Sequence, residues 1–143
     1  DQMYVDACSM NLIREPQKFD VIVTTNLFGD ILSDESSQVV GGLGMAPAAN
    51  IGDSFGLFEP VHGAAFDIAG KHIANPTSFI LSIKMMLDWL GMKNNDQNSL
   101  DAAKILEDTV LNIVKSGITT KDIGGTMSTT EFTSQITNAL SIN

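Results

Sequence analysis

Asn26-Leu27-Phe28-Gly29-Asp30-Ile31-Leu32-Ser33-Asp34 sets two carboxylates one helical turn apart, directly after the β-branched run Val21-Ile22-Val23-Thr24-Thr25 and shortly before Gly41-Gly42. If the segment after Gly29 is helical, Asp30 and Asp34 share one face near its start. There the positive end of the helix would help keep both ionised. Hard divalent cations such as Mg²⁺ are bound by one or two protein carboxylates together with water and substrate oxygens, so the pair can form half of a metal site. The same spacing also suits an ordinary solvated helix face, and the pair alone does not choose between the two.

Working outward, Phe19 and residues 21–25 read as a short buried strand, and the helix that follows runs to about Val40, where Gly41-Gly42 stops it. Together these predict a βα unit with its acidic residues at the strand's carboxyl end, where open α/β sheets bind ligands. Upstream, residues 1–14 read as a helix with Val5, Met10, Leu12 and Ile13 partly buried, ended by Pro16. Cys8 cannot form an internal disulfide, being the single cysteine. It reads as a small apolar residue with no catalytic role. Gly41, Gly42 and Gly44 do not follow the order of a dinucleotide fingerprint and read instead as a hinge.

Downstream, residues 55–61 read as a strand that delivers His62 to a loop. Asn75 and Pro76 mark the start of an apolar helix predicted to end before Gly91. Its two stripes, Phe79, Ile80, Ile83, Met86, Leu87 and Leu90 on one side and Leu81, Met85 and Trp89 on the other, predict burial on two sides. Ser99 is expected to cap the next helix, with Ala103, Leu106, Val110, Ile113 and Val114 inward and Gly117 beyond its end. Ser128 and Glu131 form a capping-box signature ahead of Phe132, Ile136, Ala139 and Leu140. His72, beside Lys71, reads as a surface histidine.

Composition narrows the function classes. The 143 residues are 43% apolar and carry a net charge of −9, so a single buried core is possible and no basic surface is offered to nucleic acid. The sequence contains no secretory-type apolar segment and no apolar run near eighteen residues, which predicts neither export nor a membrane span. The expected compartment is the cytoplasm.

The string from Asn26 through Ser36 to Gly41-Gly42-Leu43-Gly44-Met45, continued by Ala46-Pro47-Ala48-Ala49-Asn50-Ile51-Gly52-Asp53, resembles the metal-binding motif of the β-decarboxylating dehydrogenases, the isocitrate, homoisocitrate and 3-isopropylmalate dehydrogenase family. Glu59-Pro60-Val61-His62-Gly63-Ala64-Ala65-Phe66-Asp67-Ile68-Ala69-Gly70, running on to Ala74-Asn75-Pro76, resembles the adenosine-binding loop of that family. The resemblance covers essentially the whole chain, but only the family's C-terminal part. It implies an α/β fold, the three-layer α/β/α isopropylmalate-dehydrogenase type with an incomplete sheet. Residues 1–40 would belong to the smaller dimer-forming domain and residues 41–143 to the larger NAD-binding domain.

What the resemblance implies for function is specific. Asp30 and Asp34 would bind Mg²⁺ or Mn²⁺ from one subunit and Asp6 would reach the partner's metal, so the expected assembly is a homodimer with a shared active site. Glu59, His62, Gly63, Ala65, Asp67, Ile68 and Asn75 would bind the cofactor, with His62 against the adenine part. A carboxylate at Asp67 can accept both hydroxyls of a free ribose and repels a 2′-phosphate, which predicts NAD. NADP-using members have Lys and Tyr at the positions of Asp67 and Ile68, and Tyr and Arg where Lys121 and Gly125 stand here.

The implied reaction is oxidation of a 2-hydroxyacid by NAD⁺ followed by loss of its β-carboxylate. The family's Lys base, Tyr acid and substrate-clamping arginines lie upstream of the matched region, and Tyr4 and Arg14, the single tyrosine and arginine, do not match them. No catalytic residue is therefore expected here, and the chain is expected to need the upstream half for turnover. Residues 28–35 are more like isopropylmalate dehydrogenases and residues 49–53 more like isocitrate and homoisocitrate enzymes. Archaeal-type 3-isopropylmalate dehydrogenases combine both. A non-catalytic regulatory subunit would be expected to lose some of Asp6, Asp30, Asp34 and Asp67, all of which are present. The doubly apolar helix leaves an oligomerisation module as a third reading.

Overall fold

The computed structural model describes residues 1–141. Five α-helices, α1 (Val5–Arg14), α2 (Asn26–Val39), α3 (Thr77–Asn94), α4 (Gln97–Lys115) and α5 (Thr129–Leu140), accompany two strands, β1 (Pro47–Ile51) and β2 (Gly56–Pro60). The strands pair antiparallel, with Ala49 opposite Phe58. Short 3₁₀ turns lie at Pro16–Lys18, Phe66–Ile68 and Lys121–Ile123.

α1 stops at Arg14 because Pro16 cannot continue the ladder. It packs on α2 through Cys8, Leu12 and Leu32, with Val5 and Phe19 at the edge. Ser9 Oγ adds a 2.9 Å hydrogen bond to Glu35. Met10 and Ile13, expected inside, are exposed, and Cys8 takes the inner position instead. Only one narrow stripe of a ten-residue helix meets a single partner helix.

The predicted strand at 19–25 is not formed. Residues 21–25 have no assigned secondary structure, and Val21 and Val23 are 79% and 93% exposed. A strand exists only through its ladder, and no described segment pairs with this one. The expected βα unit is therefore represented by its helix. That helix starts at Asn26 rather than after Gly29, so neither Asp30 nor Asp34 lies in its first turn. The macrodipole effect expected for them is confined to the terminal turn and does not reach them.

At the other end α2 behaves as read. Gly41 and Gly42 follow it at φ 113° and 105°, a region that L-residues with a Cβ rarely adopt.

Between α3, α4 and α5 a second cluster forms, built on Val110, Phe132 and Ile136 with Ile80, Leu81, Ile113, Val114 and Met127 against it. α3 crosses the hairpin by close approach of small polar residues. Ser78 Oγ donates to the Ala46 carbonyl, Ser82 Oγ donates to the Glu59 carbonyl at 2.8 Å, and the Ser78 N–H donates to the Gly44 carbonyl at 2.8 Å. The expected double burial of α3 is thus partial: Thr77, Ser78, Ser82 and Gly91 are its buried residues, while Phe79 is exposed.

Gly91 lies inside α3 rather than past its end, and a Cβ there would come within 2.7 Å of the Leu100 side chain, so the position takes glycine. Asn95, in the left-handed region, caps the helix after Asn94, with the Asp96 N–H on the Gly91 carbonyl. Asp96, not Ser99, caps α4: its carboxylate accepts the Asn98 N–H at 3.1 Å, and Ser99 Oγ donates to it at 2.6 Å. Lys84 ties the two helices together, 3.0 Å from Asp88 and 3.2 Å from Glu107. Partial burial pulls its pKa down, but bonds to the two carboxylates outweigh this and hold it above the ordinary lysine value.

Candidate functional site

β2 ends at Pro60 and hands the chain to a loop over residues 61–76 that folds back on itself before α3. The loop turns at Ala65, φ 44°, enters the 3₁₀ turn Phe66–Ile68, and turns again at Gly70 and His72, the latter at φ 53°. A cavity of about 490 Å³ opens along it, within the range typical of small-molecule sites. Its wall is largely apolar, from Leu43, Ala64, Ile68, Ile73 and Ala74, with His62, His72, Asn75 and Asp122 as its polar groups.

Five of the residues assigned to the cofactor, His62, Gly63, Ala65, Ile68 and Asn75, line this one cavity. Glu59 and Asp67 do not. Glu59 is exposed on β2 opposite Ala48. Asp67 is exposed on the 3₁₀ turn next to the cavity residue Ile68. His62 is exposed with Nδ1 3.0 Å from the Gly63 carbonyl. A carbonyl only accepts, so Nδ1 is the donor in this contact.

Asn75 is only 8% exposed, and its amide is spent inside the fold. Oδ1 accepts the Thr77 N–H at 3.0 Å, and Nδ2 donates to Asp122 Oδ2 at 2.9 Å. Asp122 in turn accepts Thr120 Oγ1 at 2.6 Å. A Cβ on Gly44 would lie 2.9 Å from both Asn75 and Asp122, so only glycine fits there.

Sequence reasoning missed Asp122 and the part played by Gly44 and His72. The one signal for Asp122 was its place ahead of Gly124-Gly125 in a turn. His72, read as a surface residue without partners, is exposed but borders the cavity, and its carbonyl accepts the Thr129 N–H.

The acidic set lies elsewhere. Asp30 and Asp34 are both exposed on α2, with Asn26 Nδ2 3.5 Å from Asp30 Oδ2. Asp6 is exposed on α1. Among the described residues of this single chain, no three His, Cys, Asp or Glu side chains gather into a metal-binding group. Two open carboxylates offer the hard oxygen donors that Mg²⁺ or Mn²⁺ takes, with room for water and substrate oxygens. A larger hollow of about 640 Å³ beside residues 18–24 contains none of the sequence-predicted ligands. Among the described residues, no helix is long and apolar enough to cross a membrane.

The sequence model described as isocitrate/isopropylmalate dehydrogenase matches residues 1–140. A 3-isopropylmalate dehydrogenase of Sulfurisphaera tokodaii is 53% identical over 140 residues, 97% of this chain and 42% of that protein. An isocitrate/homoisocitrate dehydrogenase of Thermus thermophilus is 54% identical over 136 residues, 95% of this chain and 39% of that protein.

The crystal structure of isocitrate dehydrogenase from Methylococcus capsulatus superposes with a TM-score of 0.86 at 45% identity, over 95% of this chain and 39% of that one. The α/β fold class expected from the resemblance is therefore the observed one, present as a portion. The chain spans about two fifths of the length of the relatives it matches and belongs to the isocitrate/isopropylmalate dehydrogenase family.

Proposed function

We propose that this chain is the C-terminal portion of an NAD-dependent, divalent-metal-dependent oxidative decarboxylase of a 2-hydroxyacid, with 3-isopropylmalate as substrate. The observation that carries this reading is the convergence of His62, Gly63, Ala65, Ile68 and Asn75 on one apolar-walled cavity with Asp67 beside it.

An adenine ring suits a flat apolar wall with polar groups at its edge. The Asp67 carboxylate, exposed on its turn, is free to accept the hydroxyls of an unphosphorylated ribose, and its charge disfavours a 2′-phosphate. His62 would bind rather than transfer protons. When bound, NAD would supply the hydride acceptor and Mg²⁺ or Mn²⁺ the Lewis acid. Asp30 and Asp34 would hold the metal, with Asp6 of a second copy completing the acidic set, so that the working unit is a homodimer in the cytoplasm. Proton transfer and recognition of the substrate's remaining carboxylate and side chain fall to residues outside this chain.

A second reading, isocitrate or homoisocitrate as substrate, is favoured by the 54% identity to the Thermus protein that carries those names. Steady-state assays of the full-length protein with each of the three acids, NAD or NADP, and Mn²⁺ test both. The first reading predicts the highest kcat/KM for 3-isopropylmalate with NAD. Preference for isocitrate or homoisocitrate would select the second, and turnover with none of the three would overturn both.

A further inference from the structure

We infer that Thr129, the first residue of α5, is a positioning residue that latches the exit of the nucleotide loop onto the helical core. Its N–H donates to the His72 carbonyl at 2.9 Å, and its hydroxyl donates to the Ala74 carbonyl. Backbone bonds inside the loop are short-range by contrast: Ile68 N–H to Ala65, Ala69 N–H to Phe66 and Lys71 N–H to Ile68. Such bonds shape a turn but cannot fix its position against the rest of the molecule.

The two Thr129 bonds flank Ile73. They grip residues 72–74, all of which line the cavity, on both sides of that residue. They also hold His72 where its backbone is in the left-handed region, which a residue with a side chain leaves readily unless its neighbours constrain it.

The latch is anchored in turn. The first N–H groups of a helix lack intrahelical partners, and here one of them is used on the loop. Ser128 and Glu131 close a capping box around the same turn, and Phe132 and Ile136 bury the helix in the main core. Loop position is thereby referred to α5 through the backbone and side chain of one residue, beside the Asn75–Asp122 bond at the loop's end.

This inference rests on the nucleotide reading of the loop, and the test separates the two. In the full-length protein, Thr129→Val and Thr129→Ser are compared with wild type for NAD binding by calorimetry, Mn²⁺ binding, and amide hydrogen exchange across residues 66–75. Losing one hydrogen bond at a partly exposed site corresponds to roughly a two- to tenfold weakening. The expected result is NAD affinity reduced by that factor and faster exchange at residues 71–75 in Thr129→Val, both restored in Thr129→Ser, with Mn²⁺ affinity unchanged. Wild-type NAD affinity and wild-type exchange in Thr129→Val would overturn the latch. Absence of NAD binding by wild type, with exchange still dependent on the hydroxyl, would instead overturn the nucleotide reading and leave the latch standing.

Discussion

Asn75 and Asp122 meet at the wall of the cavity through a 2.9 Å hydrogen bond from amide to carboxylate. This bond joins the entry of α3 to the turn between α4 and α5. Because Asn75 also accepts the Thr77 N–H, the pair sets both where α3 begins and where the loop of residues 61–76 ends.

Asp122→Ala should cost about 1–3 kcal/mol, since it removes a hydrogen bond to a charged group and leaves a buried amide short of a partner. Gly44→Ala should cost a similar amount by pushing a methyl into both side chains. Urea denaturation monitored by circular dichroism measures each. A loss well under 0.5 kcal/mol for Asp122→Ala would mean that water replaces the carboxylate at no cost.

Cofactor preference should follow residues 67 and 68. In the full-length protein, Asp67→Lys with Ile68→Tyr should move preference from NAD towards NADP, the removed repulsion and the added cation each contributing on the order of 1–3 kcal/mol. The ratio of kcat/KM values for the two cofactors reads this directly. A wild-type preference for NADP would remove Asp67 from its ribose role.

Asp30→Asn should weaken Mn²⁺ binding at least tenfold, as neutralising one of two carboxylates takes away half of the fixed charge on the α2 face. Titration of Mn²⁺ monitored by electron paramagnetic resonance compares the variants. Equal affinity would exclude Asp30 from the site, while loss of binding on dilution would fit a ligand contributed by a second copy.

Acid should loosen α5 first at its cap. The Ser128 N–H and hydroxyl, 2.8 and 2.7 Å from the Glu131 carboxylate, hold its pKa below the ordinary glutamate value. A depressed folded-state pKa stabilises fully above the unfolded value and loses that contribution as pH falls through the folded one. The stability difference between wild type and Glu131→Gln should therefore be flat at neutral pH and shrink in wild type's disfavour below the ordinary carboxylate range. A difference independent of pH down to strong acid would show that the charge contributes nothing.

Thr77→Val should be neutral or stabilising by up to about 1 kcal/mol. The Thr77 side chain is fully buried, and its hydroxyl has no hydrogen-bond partner among the described residues, so a methyl of similar shape removes an uncompensated desolvation cost. Thermal melts check it. A clear loss of stability would point to a water bound at that hydroxyl.

Features encoded within a few residues were legible in the sequence. The Ser128–Glu131 capping box, the stop at Pro16, the glycine pair after α2 and the inward stripe of α4 form as read, because caps, proline and helical periodicity act over one or two turns. The loop residues that share the cavity were named from a motif whose members are close in the chain.

What tertiary structure decided involves partners far apart in sequence. β1, Pro-Ala-Ala-Asn-Ile, carries little strand propensity of its own and becomes a strand by pairing with β2, whereas the β-branched residues 21–25 find no partner among the described residues and do not. Gly91 lies inside α3 as a packing glycine, since Leu100 of the next helix occupies the space a Cβ would take. Asp122 and Thr129 enter the site only through contacts to Asn75, His72 and Ala74 on the other side of α3 and α4. Propensity and capping are short-range terms, while ladder pairing, close approach and buried hydrogen bonds depend on which distant residues the fold brings together.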